Sequence, residues 1–208
     1  SGTAAATITY AAYPGETPVL SSAKRISGWR DVGNDVSGLP PAARDHILVA
    51  DVTENFKCLF DQAGLLPRAR SKGFIPLPGS SRNKLHYPAG TLRNWRNVED
   101  VEVVVRPHHA WIVNVLPLES VDEQRQIAST SVDATYAMNE LHFLKGTNSC
   151  WVENVLEALD EPGEWVLDTQ QNKVYLWPRN RGEVLAPQLQ ELVRVEGEVD
   201  ESGPVDLP

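Results

Sequence analysis

The chain has 208 residues, 41% of them hydrophobic and 23% charged, which suits one globular domain with a sizeable core. Nineteen Lys and Arg against 28 Asp and Glu leave a net charge of -9, so a nucleic-acid backbone would meet repulsion and is excluded as a partner. The longest apolar runs, ILVA at 47–50 and VVV at 103–105, fall far short of the roughly 20 residues of a membrane helix, so no membrane partner is expected.

Short alternating or β-branched runs, separated by Gly, Pro, Asn and Asp, give the chain the pattern of an all-β domain. In chain order, strands are expected at 6–14, 45–53, 56–60, 100–107, 110–118, 125–130, 164–168, 173–178 and 191–197. YPGE at 13–16, DQAG at 61–64 and PLPGSSRN at 76–83 supply the turn chemistry between them. The opening residues, SGTAAATITYAAYPGE, lack the basic flank and apolar stretch of a signal peptide. Cys58 and Cys150 are widely separated and form no CxxC, which leaves one structural disulfide or two buried free thiols and removes zinc-knuckle and redox motifs.

One short helix is expected at about 151–160. Val152, Val155, Leu156 and Leu159 recur at the spacing of a single helical face, Ser149 could cap its start, and Pro162 ends it. Glu161-Pro162-Gly163-Glu164 then fits a type II turn, with Pro presetting the first central residue and Gly supplying the positive φ of the second. In the strand that follows, period-2 alternation puts Trp165 and Leu167 on the packed side and Glu164, Val166 and Asp168 on the other. DTQQNK closes a hairpin, with Asn172 able to adopt the left-handed conformation.

The carboxylates around this turn raise the question of catalysis. A glycosidase needs two carboxyl groups, roughly 5 to 5.5 Å apart in a retaining enzyme and about 6.5 to 9.5 Å in an inverting one. The turn brings the Cα atoms of Glu161 and Glu164 within about 7 Å. Carboxylates beside a Pro-Gly turn are nevertheless expected to be solvated, with nothing to raise the pKa of one of them. A small carboxylate-based glycosidase is therefore the weakest of three functional readings, and no catalytic residue is assigned.

His108 and His109, adjacent in an expected strand, should face opposite sides of the sheet, one of them packed against Trp111, and so cannot chelate one ion together. His46, His86 and His142 are scattered, so no metal site and no cofactor are expected. GxSxG, Walker and GxGxxG motifs are missing from the sequence. Of the six tryptophans, Trp111, Trp165 and Trp177 lie in apolar strands and are expected in the core. Trp95, within TLRNWRN at 91–97, is the best candidate for an exposed stacking platform. Arg93 and Arg96 beside it complete the candidate ligand-binding set.

Residues 2–29, LFDQAGLLPRAR at 59–70, LRNW at 92–95 and WVENVLEALDEPGEWVLDTQQNKVYLWP at 151–178 resemble the N-terminal region of certain large right-handed parallel β-helix (pectate-lyase-like) proteins. Many of these are glycoside hydrolases or polysaccharide lyases in which an early coil is interrupted by an inserted β-sandwich. The resemblance implies a first-coil stub at 1–20, an inserted β-sandwich or barrel-like domain at 21–190 with the short helix near 151–160, and a stub at 191–208 leading toward the β-helix. It implies a non-catalytic accessory domain that shapes the cleft or an oligomer contact of a polysaccharide-processing parent. The implied partners are a polysaccharide or oligosaccharide, met through the parent enzyme, and the β-helix domain of the same chain. A secreted or periplasmic location follows from the resemblance alone. The remaining alternative is a self-contained carbohydrate-binding module.

Overall fold

A computed structural model describes residues 6, 8–33, 36–194, 199–200 and 203–204. The chain separates into a large unit, Arg25–Ala186, and a small one drawn from Ser1–Lys24 and Pro187–Pro208. In the small unit, strands β14 (Val199–Asp200) and β15 (Gly203–Pro204) pair antiparallel, and Glu16 N–H donates to the Tyr13 carbonyl at 2.9 Å across the Pro14-Gly15 turn. Residues 8–20 form no strand, so most of the one expected at 6–14 is not formed; Tyr10, Tyr13 and Val19 are exposed, without the neighbours that an alternating run needs. Of the strand expected at 191–197, residues 191–194 are irregular and the rest lies outside the described residues.

The remaining strands are β1 (Ala23–Ile26), β2 (Arg30–Asp31), β3 (Leu48–Asp51), β4 (Leu59–Asp61), β5 (Gly64–Leu66) and β6 (Lys84–His86). They continue with β7 (Glu102–Val105), β8 (Asn114–Asp122), β9 (Ile127–Thr130), β10 (Cys150–Glu153), β11 (Trp165–Asp168), β12 (Lys173–Leu176) and β13 (Val184–Pro187). They form three sheets, ordered β1-β13-β4-β5, β11-β12-β3-β2 and β10-β7-β8-β9-β6. The registered ladders are antiparallel, and the arrangement is sandwich-like with no closed barrel. The expected all-β class is observed.

The sheet β11-β12-β3-β2 carries a core on each face. Val49, Val166 and Tyr175 pack with inward residues of the five-stranded sheet, among them Leu85, Val103, Leu116 and Val152. Their neighbours in the same strands, Ala50, Trp165, Leu167, Val174 and Leu176, pack instead with Ile26, Leu59, Leu66, Val184 and Ala186 of the other sheet. Burial on both faces is why β11 and β12 read as near-continuous apolar runs. The one-sided packing expected for residues 164–168 is thereby corrected: Val166 and Asp168 are as enclosed as Trp165 and Leu167.

In β8 the inward positions run Leu116, Leu118, Val121, which breaks the period of two. A bulge between Leu118 and Ser120 resets the alternation, so that Val121 rather than Ser120 meets the core.

No α-helix occurs among the described residues. At 151–160, where one was expected, β10 pairs with β7 through Glu153 and only Leu156–Ala158 make a single 3-10 turn. Ser149 caps no helix; its carbonyl accepts the Arg106 N–H at 2.9 Å. The turn expected next does form: Glu164 N–H donates to the Glu161 carbonyl at 3.2 Å, and Gly163 has φ 99°. Asn172 closes the β11–β12 hairpin at φ 54°. Both cysteines are free, Cys150 buried but Cys58 exposed, against the expectation that unbonded thiols would both lie inside.

Candidate functional site

The loop before the 3-10 turn Val98–Asp100 carries Arg93, Trp95 and Arg96 to one cavity of about 360 Å³. Its other walls come from Val36–Gly38, from Asn154–Glu157 beyond β10, and from Asp168, Gln171 and Tyr175 of the β11–β12 hairpin. The sequence-derived set is thus brought together in space, but with partners already in place. Trp95 is half-buried against the main core, and its Nε1–H donates to Glu157 Oε2 at 3.1 Å. Arg93 approaches the other oxygen of Glu157 at 3.7 Å. Arg96 donates to Asp168 Oδ2 at 2.5 Å and to Gln170 Oε1 at 3.2 Å, while Gln170 Nε2 donates back to the Arg96 carbonyl at 3.0 Å.

Asp168 sits inside the wall, and its second oxygen accepts the Gln171 N–H at 2.8 Å. Tyr175 donates its hydroxyl to Gln171 Oε1 at 3.0 Å. Burial, reinforced by the charge of Asp168, raises the pKa of that hydroxyl above its ordinary value, with Arg96 and Arg30 acting against it. The cavity therefore offers a partly covered indole, two guanidinium groups and a rim of amides. Its carboxylates are committed to Trp95, Arg93 and Arg96. A saccharide needs such a surface, apolar over the ring face and polar at the hydroxyls.

A second cavity, about 370 Å³, lies between the segment Arg70–Gly73 with Arg106, Asn148 and Trp151, and the acids Asp160, Glu161 and Glu164. A third, about 210 Å³, shares Arg93, Trp95 and Glu157 with the first and Arg70, Lys72 and Asp160 with the second, so the three adjoin. Here the expectation of solvated turn carboxylates fails for Glu164, which is 7% exposed. Its Oε2 accepts the N–H groups of Asp160 at 2.9 Å and Glu161 at 3.1 Å. Burial pushes the Glu164 carboxyl above its ordinary pKa; those two donors pull it down, and the charges of Asp160 and Glu161 add to the rise. Glu161 remains exposed. The buried carboxylate is thus the clasp of its own turn.

The histidines depart from expectation in geometry. His108 and His109 lie in no strand; His108 has φ 62°, and the two rings meet edge to face at 4.5 Å instead of facing opposite sides. His109 does stack on Trp111, at 4.6 Å, but Trp111 is 73% exposed and not in the core. Trp165 is fully buried, and Trp177 is partly buried and stacked on His46. Among the described residues no cluster of His, Cys, Asp and Glu is arranged to hold a metal ion.

Residues that sequence reasoning missed at the first cavity are Asn154, Glu157, Gln171 and Tyr175. Tyr175 reads as a core residue of an apolar strand, and Glu157 as the polar face of the expected helix. Their only sequence-level mark is polarity inside the 151–178 stretch.

No protein-family model matches the sequence, and no curated protein matches it. The fold is similar to part of a solved glycoside hydrolase, with a TM-score of 0.59 and 23% identity. The similarity covers 86% of this chain and 33% of that one. The chain thus spans about a third of the length of that hydrolase, and what the two share is a β-rich fold.

Proposed function

We propose that this chain is a non-catalytic accessory domain of a carbohydrate-active enzyme, and that its cavity at Trp95 forms part of the wall along which a saccharide chain runs. The observation that carries the reading is the commitment of the cavity's carboxylates. Glu157 is held by Trp95 and Arg93, and Asp168 by Arg96 and a backbone amide, which leaves the site suited to binding and short of a free acid–base pair. The likeness to part of a glycoside hydrolase supplies the carbohydrate context. The parent's catalytic part would be a right-handed parallel β-helix, hydrolase or lyase, and the protein secreted or periplasmic; both rest on the motif resemblance.

The test has two parts. The chain should release no reducing ends or unsaturated products from polysaccharides, and turnover by the chain alone would overturn the accessory reading. Calorimetry with neutral oligosaccharides should show binding that falls by about tenfold or more in Trp95→Ala, the loss of one stacking platform. Binding unaffected by that substitution would remove the Trp95 wall from the proposal. A self-contained binding module, the second reading, predicts the same Trp95 dependence with an affinity that the enclosing enzyme does not increase.

A further inference from the structure

The segments 106–115 and 131–147 of the large unit carry six rings in one continuous row. Trp111 stacks on His109, His109 meets the Tyr136 ring edge-on at 5.2 Å, and Tyr136 lies 6.5 Å from His108. His108 is 5.6 Å from His142, which meets Phe143 edge-on at 4.6 Å. Backbone joins the two segments, with the His142 N–H donating to the His108 carbonyl at 3.2 Å. The large members of the row nevertheless face solvent: Trp111 is 73%, Phe143 77% and Tyr136 44% exposed.

Aliphatic side chains extend the row over the start of β8. Asn114 Oδ1 accepts the Thr135 N–H at 2.9 Å and the Ser131 N–H donates to the Pro117 carbonyl at 3.0 Å, which lays 131–135 beside the strand and brings Val132 alongside Val115. Val113, Val115, Val132 and Leu144 are each about half exposed. Together with the three aromatics they present roughly 700 Å² of apolar surface, above the roughly 300–600 Å² of the largest patch on a typical monomer and close to the about 800 Å² that each partner covers in a stable association. Charge singles out the same face. The two segments hold two cations, Arg106 and Lys145, and two carboxylates, Asp133 and Glu140, so they are neutral in a chain whose net charge is -9. Both carboxylates are also engaged within the chain, Asp133 with Arg82 at 3.8 Å and Glu140 with the Gly146 N–H at 2.6 Å. A second copy approaching here meets apolar surface without the repulsion that the rest of the chain imposes.

We infer that this face is the contact between two copies of the chain, related by a two-fold axis, with Trp111 and Phe143 of each copy buried by the other. An isologous contact covers the same patch twice, so the pair would bury roughly 1,400 Å² in all, within the range of specific interfaces. Large aromatic anchors ringed by aliphatic groups are the residues that dominate such contacts. None of the face's apolar side chains lines the Trp95 cavity, so the inference is independent of the saccharide reading.

The test is sedimentation velocity of the full chain, from low micromolar to several hundred micromolar. A monomer–dimer equilibrium with a micromolar or tighter constant is expected, and it should strengthen as added salt screens the repulsion between two acidic copies. Trp111→Ser and Phe143→Ser, at exposed positions that should leave the melting temperature unchanged, should each weaken the dimer by about tenfold or more, the loss of one anchor. Leu65→Ser, at an exposed apolar position on β5, and Trp95→Ala should leave it intact. A chain that stays monomeric throughout overturns the inference, as does a dimer that neither Trp111→Ser nor Phe143→Ser weakens, one that salt dissociates, or assembly that grows past two copies. Monomeric chain that binds neutral lipid vesicles or an insoluble polysaccharide, and loses that binding in Trp111→Ser and Phe143→Ser, assigns the face to that occupant and overturns the second copy.

Discussion

Asn154 serves as a strand partner for Leu167. Its side-chain Oδ1 accepts the Leu167 N–H at 2.7 Å, and its Nδ2 donates to the Leu167 carbonyl at 2.7 Å and to the Asp100 carbonyl at 3.0 Å. Leu167 lies in β11, the edge of its sheet, where one side of the backbone has no neighbouring strand of that sheet. One buried amide thus satisfies an N–H and a C=O that would otherwise stay unpaired.

Removing that amide should be costly. Asn154→Ala leaves both Leu167 groups unpaired and puts at φ 69° a residue that tolerates the left-handed region less well than asparagine, so a loss of about 2–5 kcal/mol is expected in urea unfolding. Asn154→Gly relieves the backbone and should lose less than Ala, the difference reporting strain of about 1 kcal/mol. Asn154→Asp keeps the acceptor for Leu167 N–H but points a second acceptor at two carbonyls, and should be no better than Ala. A midpoint unchanged in all three would show that water replaces the amide at no cost.

The Pro162-Gly163 corner offers a second test. Gly163 has φ 99°, and a Cβ there would come within 3.3 Å of Arg179 Cδ. Gly163→Ala should therefore destabilise by about 1–3 kcal/mol through backbone conformation, whereas Pro162→Ala, which changes only the presetting of the turn, should cost about 1 kcal/mol or less. Equal melting temperatures for the two variants would contradict this ordering.

Acid behaviour follows from two carboxylates with opposite shifts. The Arg179 guanidinium bonds both oxygens of Asp61, at 2.7 and 2.8 Å, and holds that carboxyl down at about 2; the Ala63 amide and Asn180 assist, and burial opposes them. Because the folded pKa lies below the ordinary 3.8, the stability it contributes is complete above that value and is lost as pH falls through about 2. Glu164 runs the other way. Its raised folded pKa means that the folded state binds the proton more readily, so its contribution favours folding at low pH and is lost as pH rises through that pKa from the ordinary 4.5. Glu164→Gln should flatten the fall in stability as pH rises above 4.5, and Asp61→Asn the fall toward pH 2, in denaturant midpoints followed across pH.

The sequence exposed the sheet class and the two turns around 161–172, because those depend on local chemistry: Pro and Gly at the centre of one, Asn172 in the other. It misled where a period arises from two different sources. Val152 faces inward by strand alternation and Val155, Leu156 and Leu159 by a 3-10 turn after Asn154, and together they imitate a helical face. The short strands β2 and β6 depend on partners far along the chain, Arg30 on Val49 and Lys84 on Ser129, which no local pattern reveals. At the site, Trp95, Arg93 and Arg96 were visible as an aromatic among polar residues. Glu157 and Asp168, which hold them, are brought near from 62 and 72 positions away.

That pairing decides how the Trp95 cavity must be probed. Arg96 is half exposed and Asp168 is 6% exposed at its side chain, so the cation is the cheaper partner to lose and the carboxylate the one left stranded. Arg96→Gln should cost about 1–2 kcal/mol of stability, below the figure for a fully buried pair because water reaches the guanidinium side. Asp168→Asn can keep the Gln171 N–H bond through its amide oxygen, so a double-mutant cycle of the two substitutions isolates the charge–charge contact from that turn bond. A coupling of about 1 kcal/mol or more identifies Arg96 as a wall-building residue, and weakened saccharide binding in Arg96→Gln is then a consequence of the altered hairpin. A coupling near zero frees Arg96 to act on the ligand directly, and its substitution should then lower affinity with the melting temperature unchanged.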